Sequence, residues 1–172
     1  MKYLFILSGV VCLSFMLLPS CAPQAEQQAE PEPEAASEPV FDQAAEEAAV
    51  RNLLAQFETV YNNHDEKALA ALWTDTAIQF RRETKGKEAI EELIKGIFER
   101  HKRSIKYNLL EELGFSFLTP EVVLIRQRVQ FTDRYDTDGN PAPNNTELAA
   151  ILAVKKDGNW RIAAILEMPI DE

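Results

Sequence analysis

Hydrophobic positions in the first half of the folded region recur with helical spacing. The first run follows Asp42, a residue type that caps helices, and its apolar positions lie three or four residues apart at Val50, Leu53, Leu54, Phe57 and Tyr61. After a polar break, a short second helix places these residues inward: Ala68, Leu69, Leu72 and Trp73. A third helix follows Gly86 and has one apolar side, formed by Ala89, Ile90, Leu93, Ile94, Ile97 and Phe98. The pattern predicts three helices, with a strand over residues 76–81 between the second and the third.

The second half of the chain changes to a period of two, which is typical of strands. Alternation begins at Ile105 and continues, after a turn at residues 119–121, over residues 122–132. A polar loop over residues 133–145 leads to two further strands joined by a hairpin turn at residues 156–159. Helices followed by an antiparallel meander predict an α+β fold.

Three segments of this domain resemble the SnoaL-like branch of the NTF2-like superfamily. They are YNNHD with ALAALWTD (residues 61–65 and 68–75), GKEAI (residues 86–90) and VKKDGNWRIAA (residues 154–164). The resemblance covers nearly all of a domain at residues 42–172. It implies a cone-shaped, strongly bent antiparallel sheet wrapped around the three helices, with a pocket between them. It also implies a homodimer formed through the sheet.

An apolar run precedes this domain at the N-terminus. It follows Lys2, occupies residues 3–18 and is interrupted by polar residues, so it is shorter than the roughly 20 apolar residues of a membrane span. We therefore expect a cleaved signal peptide at residues 1–20, with an uncleaved anchor as the alternative. Ser20 followed by Cys21 resembles a bacterial lipoprotein signal, which implies lipid on Cys21. Ala22 favours the outer membrane, facing the periplasm, if the source has two membranes.

Residues 21–41 have the composition of a tether. Residues 22–40 contain five glutamates and four prolines but no lysine or arginine, which predicts a disordered, extended segment. The whole chain has 18 Lys and Arg against 28 Asp and Glu, and this acidity argues against nucleic acid as a partner. Its two cysteines, Cys12 and Cys21, both precede the domain, which excludes disulfides and thiolate chemistry there.

The resemblance allows one known chemistry to be compared residue by residue. Ketosteroid isomerase shares this superfamily and needs a carboxylate base, a tyrosine and a protonated acid. When the matching segments are aligned, these positions fall on Arg81, Phe57 and Leu152, none of which can take the required role. The domain's two histidines suggest no metal site, and His101 is expected near a helix C-terminus, where the dipole favours its cationic form. No cofactor or metal is expected.

Polar residues on apolar strand faces are the candidate site residues. Glu111 shares a face with apolar residues if its strand is unbroken, and burial would then raise its pKa; a bulge that turns it outward is the alternative. Gln127 could contact a ligand carbonyl or a backbone group, and Glu167 is a second candidate carboxylate on the last strand. Three aromatic side chains with polar tips suit a ligand cavity, with core packing as the alternative: Tyr61, Trp73 and Tyr107.

Together these features predict a cell-envelope lipoprotein whose domain binds a small hydrophobic ligand or a partner protein without catalysis. The main alternative is a small isomerase, cyclase or dehydratase that uses Glu111 or Glu167 as its acid and base. A purely structural dimeric module is a third interpretation, because the last two strands are apolar on both faces.

Overall fold

Three helices occur in the first part of the domain, as the spacing predicts. The computed structural model of the chain describes residues 41–170. The helices are α1 (Gln43–Asn62), α2 (Glu66–Ala71) and α3 (Lys87–Arg100). None of the helices within this range is long and apolar enough to cross a membrane. The predicted signal peptide, Cys21 and all but the last residue of the tether lie outside the described residues.

Each helix begins at a residue suited to the position. The carboxylate of Asp42 accepts a hydrogen bond from the amide of Ala45 at 3.1 Å, and Asp65 accepts one from Ala68 at 2.8 Å. These bonds satisfy amide groups that have no partner within a helix. Before α3 stands Gly86 with a φ of 90°, a conformation that side chains disfavour. The sequence-based helix starts are therefore confirmed.

The strands form one large sheet and one small ribbon. The long strands are β1 (Trp73–Gln79), β3 (Lys106–Thr119), β4 (Val122–Thr132), β7 (Asn145–Lys156) and β8 (Asn159–Pro169). Together with the short β2 (Thr84–Lys85) they are ordered β2-β1-β8-β7-β4-β3, while β5 (Arg134–Tyr135) pairs only with β6 (Pro141–Ala142). The predicted α+β class is confirmed. The sheet is mixed, however, because β1 runs parallel to β8, and β1 ends at Gln79, where a 3-10 turn (Phe80–Arg82) begins.

One face of the sheet carries the core. Ile125, Ile151 and Ile165 are cross-strand neighbours on β4, β7 and β8 and are buried, so they define this inner face. The next row along the same face is Gln127, Ala149 and Glu167. The inner face therefore changes from apolar to polar within one row of residues.

Helix α1 is fixed to the sheet near both of its ends. Near its start, Glu46 accepts hydrogen bonds from the ammonium of Lys155 at 2.6 Å and from the indole of Trp160 at 2.9 Å. At its end, the side-chain amide of Asn62 accepts from the backbone N–H of Tyr107 at 2.7 Å and donates to its carbonyl at 2.9 Å. Because both contacts join residues far apart in sequence, they set the space between the helix and the sheet.

Candidate functional site

A cavity of about 120 Å³ lies between the helices and the inner face of the sheet. Its apolar wall comes largely from helices, with these side chains: Phe57, Leu69, Ile90, Leu93, Ile94 and Ile97. Its polar wall comes from the strands and the segments next to them: Gln79, Arg81, Arg82, His101, Arg134, Asn145, Glu147 and Glu167. Apolar walls with a few polar groups at one end are typical of small-molecule sites.

Glu147 is the most deeply buried carboxylate of the polar wall. Only 2% of its side chain is exposed. It lies two residues before Ala149 on β7 and therefore on the same inner face of the sheet. One oxygen, Oε1, accepts hydrogen bonds from the Arg81 guanidinium and the Asn145 amide. The other, Oε2, is buried and has no hydrogen-bond partner within residues 41–170. A buried acceptor that lacks a donor is unfavourable by roughly 1–3 kcal/mol, so this oxygen is a candidate contact for a donor group in the cavity.

Glu167 is held beside Glu147 by a specific contact. Gln79 donates from Nε2 to Oε2 of Glu167 at 2.9 Å, and the Oε1 of the same amide accepts from the backbone N–H of Arg82 at 2.8 Å. Burial, together with the charge of Glu147, raises the pKa of Glu167 to about 7. The side chain therefore exchanges a proton near neutral pH, which the ordinary carboxyl does not.

His101 lies at the C-terminus of α3, as predicted, but its charge state differs from the prediction. Its Nδ1 accepts a hydrogen bond from the backbone N–H of Tyr135 at 2.9 Å, so the neutral ring carries its proton on Nε2. Burial lowers the pKa of His101, and the nearby Arg134 and Arg100 lower it further. The expectation of a cationic imidazole was wrong because burial and two guanidinium groups outweigh the helix dipole.

Three of the predicted site residues line this cavity, namely Tyr61, Trp73 and Glu167. Tyr61 is also part of the aromatic core, where its ring contacts Phe98. Burial raises the pKa of its hydroxyl, so the group stays protonated. The Nε1 of Trp73 is buried without a hydrogen-bond partner in the described part of the chain. These residues thus serve both the core and the cavity wall.

Tyr107 and Gln127 lie at a second cavity of about 190 Å³, between α1 and strands β3 and β4. There the amide of Gln127 donates to the Tyr107 hydroxyl, so the two predicted residues satisfy each other. Another polar pair at this cavity, Arg51 with Glu112, is joined at 2.9 Å. Because these groups are already partnered, the second cavity is a weaker candidate for ligand binding.

Glu111 lines neither cavity, which corrects one of the two expectations for it. The pairing of β3 with β4 shifts on both sides of this residue, between Leu109 and Glu111 and again between Glu112 and Gly114. The first shift turns Glu111 to the outer face, where its carboxylate lies 3.4 Å from Arg128 and is half exposed. The bulge alternative therefore describes the strand, and Glu111 is no candidate for a buried acid.

Several residues of the polar wall were not predicted from the sequence. Glu147 lies just after the predicted loop and continues the period of two of Ala149, Ile151 and Ala153, but it was not considered as a site residue. Arg81 was placed on a strand and lies instead in the 3-10 turn after β1. Leu152 alternates with buried inner-face residues and so does not face the cavity. Among the described residues, no cluster of three or more His, Cys, Asp or Glu could hold a metal ion.

Comparison with known proteins identifies the fold. No protein-family model matches the sequence, and no curated protein matches it significantly. A solved structure from Caulobacter vibrioides, an uncharacterized protein with a cystatin-like fold, superposes with a TM-score of 0.66 at 16% identity and covers 73% of this chain and 89% of that one. A domain of unknown function from Nostoc punctiforme, also with a cystatin-like fold, superposes with a TM-score of 0.63 at 18% identity. The match covers 76% of this chain and 81% of that one.

A third similar structure is a ketosteroid isomerase-like protein from Erwinia carotovora atroseptica. It has a TM-score of 0.62 and 18% identity, and the match covers 73% of this chain and 96% of that one. Identities this low establish the fold and leave the chemistry open, since one fold supports many functions. The chain has a cystatin-like fold, in agreement with the α+β architecture predicted from the sequence.

Proposed function

We propose that this domain binds a small hydrophobic molecule in the cavity between its helices and the inner face of its sheet. The observation that carries the proposal is the cavity itself, about 120 Å³ in volume and lined by both apolar side chains and buried polar groups. A dry apolar cavity of roughly 150 Å³ can hold a benzene-sized molecule. The expected ligand is therefore about the size of one ring.

Native mass spectrometry of the purified protein, before and after organic extraction, tests this proposal. The matched variants are Ile97→Phe, which fills part of this cavity, and Leu54→Phe, which enlarges a partly buried side chain at the second cavity. Loss of a copurified molecule in I97F but not in L54F supports the proposal. It fails if no small apolar molecule copurifies with the protein or binds to it on addition.

A second candidate function is proton transfer by Glu167, and the geometry of that residue favours it specifically. A carboxyl with a pKa of about 7 is a suitable acid and base at neutral pH. Gln79 holds one of its oxygens at 2.9 Å, which orients the group toward a fixed position. The likeness to a ketosteroid isomerase-like protein makes proton abstraction next to a carbonyl the reaction to examine first.

Hydrogen–deuterium exchange at the carbon next to the carbonyl of cyclohexanone, followed by NMR in D₂O, measures this activity directly. Glu167→Gln should abolish the catalysed exchange, while Glu111→Gln should leave it intact because Glu111 is half exposed and lines neither cavity. The exchange rate should rise with pH around 7. Equal exchange with and without the protein leaves binding as the remaining function.

We also propose that the domain is held at the cell envelope by lipid on Cys21. The support is the sequence alone: the apolar run, the small residue before Cys21 and the acidic tether. Incorporation of a labelled fatty acid into the full chain should be lost in Cys21→Ser. Release of that variant from the outer-membrane fraction would support the sorting prediction, and an unlabelled native protein would refute the anchor.

A homodimer through the outer face of the sheet is a further proposal. That face carries these apolar residues in adjacent cross-strand rows: Leu124, Leu152 and Ala164, then Ala150 with Leu166, then Leu148 with Met168. Leu166 and Met168 are 40% and 43% exposed, which leaves apolar surface available. Light scattering should report a dimer that Leu166→Asp dissociates, and a monomeric native protein would contradict the proposal.

A further inference from the structure

The polar wall of the cavity contains a carboxylate oxygen that lacks a hydrogen-bond donor. Glu147 lines the cavity, and its side chain is 2% exposed. Its Oε1 is occupied by Arg81 and Asn145, whereas Oε2 has no partner among residues 41–170. An ionised carboxylate only accepts hydrogen bonds, so an occupant satisfies this oxygen only by donating an N–H or O–H to it.

The charges around the cavity decide what kind of donor fits. Arg81 already pairs with Glu147, and two further guanidinium groups, those of Arg82 and Arg134, line the same cavity. Together they outnumber the carboxylates of Glu147 and Glu167. A cationic ligand such as an amine would meet net positive charge, so a neutral donor is favoured. A hydroxyl group is the simplest neutral donor.

The apolar wall decides what carries that hydroxyl. Ile90, Ile94 and Ile97 from α3 lie opposite Ile165 from the sheet, and the volume of about 120 Å³ limits the body to about one ring. We propose that the site selects a neutral, ring-sized alcohol or phenol whose hydroxyl donates to Oε2 of Glu147. This inference rests on the proposed function, because it names the chemical class of the ligand bound in that same cavity.

The other unpartnered buried atom does not distinguish between ligands in the same way. The Nε1 of Trp73 is a donor, so an ether oxygen and a hydroxyl oxygen satisfy it equally. Of these two atoms, only the Glu147 oxygen requires the proton of a hydroxyl group. A comparison of an alcohol with its methyl ether therefore measures what that proton contributes to binding, and the same comparison in Glu147→Gln separates the part due to Glu147.

Four probes of similar size test the inference on the unmodified full chain: phenol, anisole, benzylamine and toluene. Affinity is measured by NMR chemical-shift titration at pH 7, with the methyl groups of Ile94 and Ile165 as reporters. Phenol should bind at least about tenfold more tightly than anisole, which corresponds to about 1.4 kcal/mol. Toluene should resemble anisole, and benzylamine should bind most weakly.

The variants Glu147→Gln and Glu111→Gln give a second comparison. E147Q should reduce the affinity for phenol about tenfold and leave that for anisole unchanged, and E111Q should change neither. If anisole binds as tightly as phenol, the role of Glu147 is refuted while the hydrophobic cavity stands. If none of the probes moves the reporter signals, both the inference and the proposed function fail. If E147Q does not fold, the affinities of the native protein for phenol and anisole still test the inference, because equal affinities refute it.

Discussion

Replacing Glu167 by glutamine should make the stability of the protein depend less on pH. Burial and the charge of Glu147 raise the pKa of this carboxyl from its ordinary value of 4.5 to about 7. Because the folded state holds the proton more tightly than the unfolded state, the contribution of Glu167 to stability is fully present below pH 4.5. It is lost as the pH rises through about 7.

The size of the effect follows from the two pKa values. Their difference, at 1.36 kcal/mol for each pKa unit, corresponds to about 3 kcal/mol of unfolding free energy. The amide that Glu167→Gln introduces stays neutral at every pH and can still accept the hydrogen bond from Gln79. E167Q should therefore equal the native protein in stability at about pH 4 and exceed it by about 3 kcal/mol at about pH 8.5. The other charges that face this group, Glu147, Arg81 and Arg82, are common to both proteins.

Urea unfolding at a series of pH values, followed by fluorescence, measures this difference. Glu111→Gln is the matched control, because Glu111 is half exposed and its single ion pair with Arg128 contributes less than about 1 kcal/mol. A difference between E167Q and the native protein that stays constant across this pH range would refute the reasoning. A carbon-13 signal of the Glu167 carboxyl with a midpoint near 7 would support it independently.

Three further substitutions test the contacts that shape the cavity, each by urea unfolding at pH 7. Glu46→Gln weakens the contact of α1 with the last hairpin and should cost about 1–2 kcal/mol, whereas Glu92→Gln, at a largely exposed position, should change stability by less than about 0.5 kcal/mol. Asn62→Ala removes both hydrogen bonds between the end of α1 and β3 and should cost about 2 kcal/mol. An unchanged free energy of unfolding would mean that these two hydrogen bonds do not hold the helix to the sheet. Arg81→Met leaves the buried carboxylate of Glu147 without its ion-pair partner and should lower the free energy of unfolding by about 3 kcal/mol. The double variant with Glu147→Met should recover most of that stability, because it also removes the buried charge.

The helices and the fold class could be predicted because their signals are local. Apolar residues at helical spacing and the caps Asp42 and Asp65 lie within a few positions of each other, and the structure confirms them. The parallel pairing of β1 with β8 could not be predicted in the same way. It pairs Trp73 with Ile162, far along the chain. The alternation of a strand predicts which residues share a face, but it does not predict which strand lies next to it.

The site was predicted less completely, and Glu111 explains why. Its position in the alternating pattern predicts an inward carboxylate, but a shift in the pairing of β3 with β4 reverses the faces of Glu111 and Glu112. A second shift before Gly114 returns Phe115 to the inner face. Glu147 shows the opposite case, because it follows the period of two and its inward position could have been predicted from the alternation. The pKa of His101 is lowered first by burial and then by Arg134, and the fold determines both effects because it brings Arg134 close from a distant segment.

The distribution of unsatisfied polar atoms supports the proposal that the cavity binds a ligand. Within residues 41–170, the buried side-chain polar atoms without a hydrogen-bond partner are Trp73 Nε1 and Glu147 Oε2, and both residues line the same cavity. Elsewhere in the described domain, buried amides such as that of Gln127 are partnered. Each unpaired atom costs roughly 1–3 kcal/mol, a large fraction of the stability of a domain this size. Apolar residues at these positions would avoid that cost, which supports the proposal of an occupant that completes their hydrogen bonds.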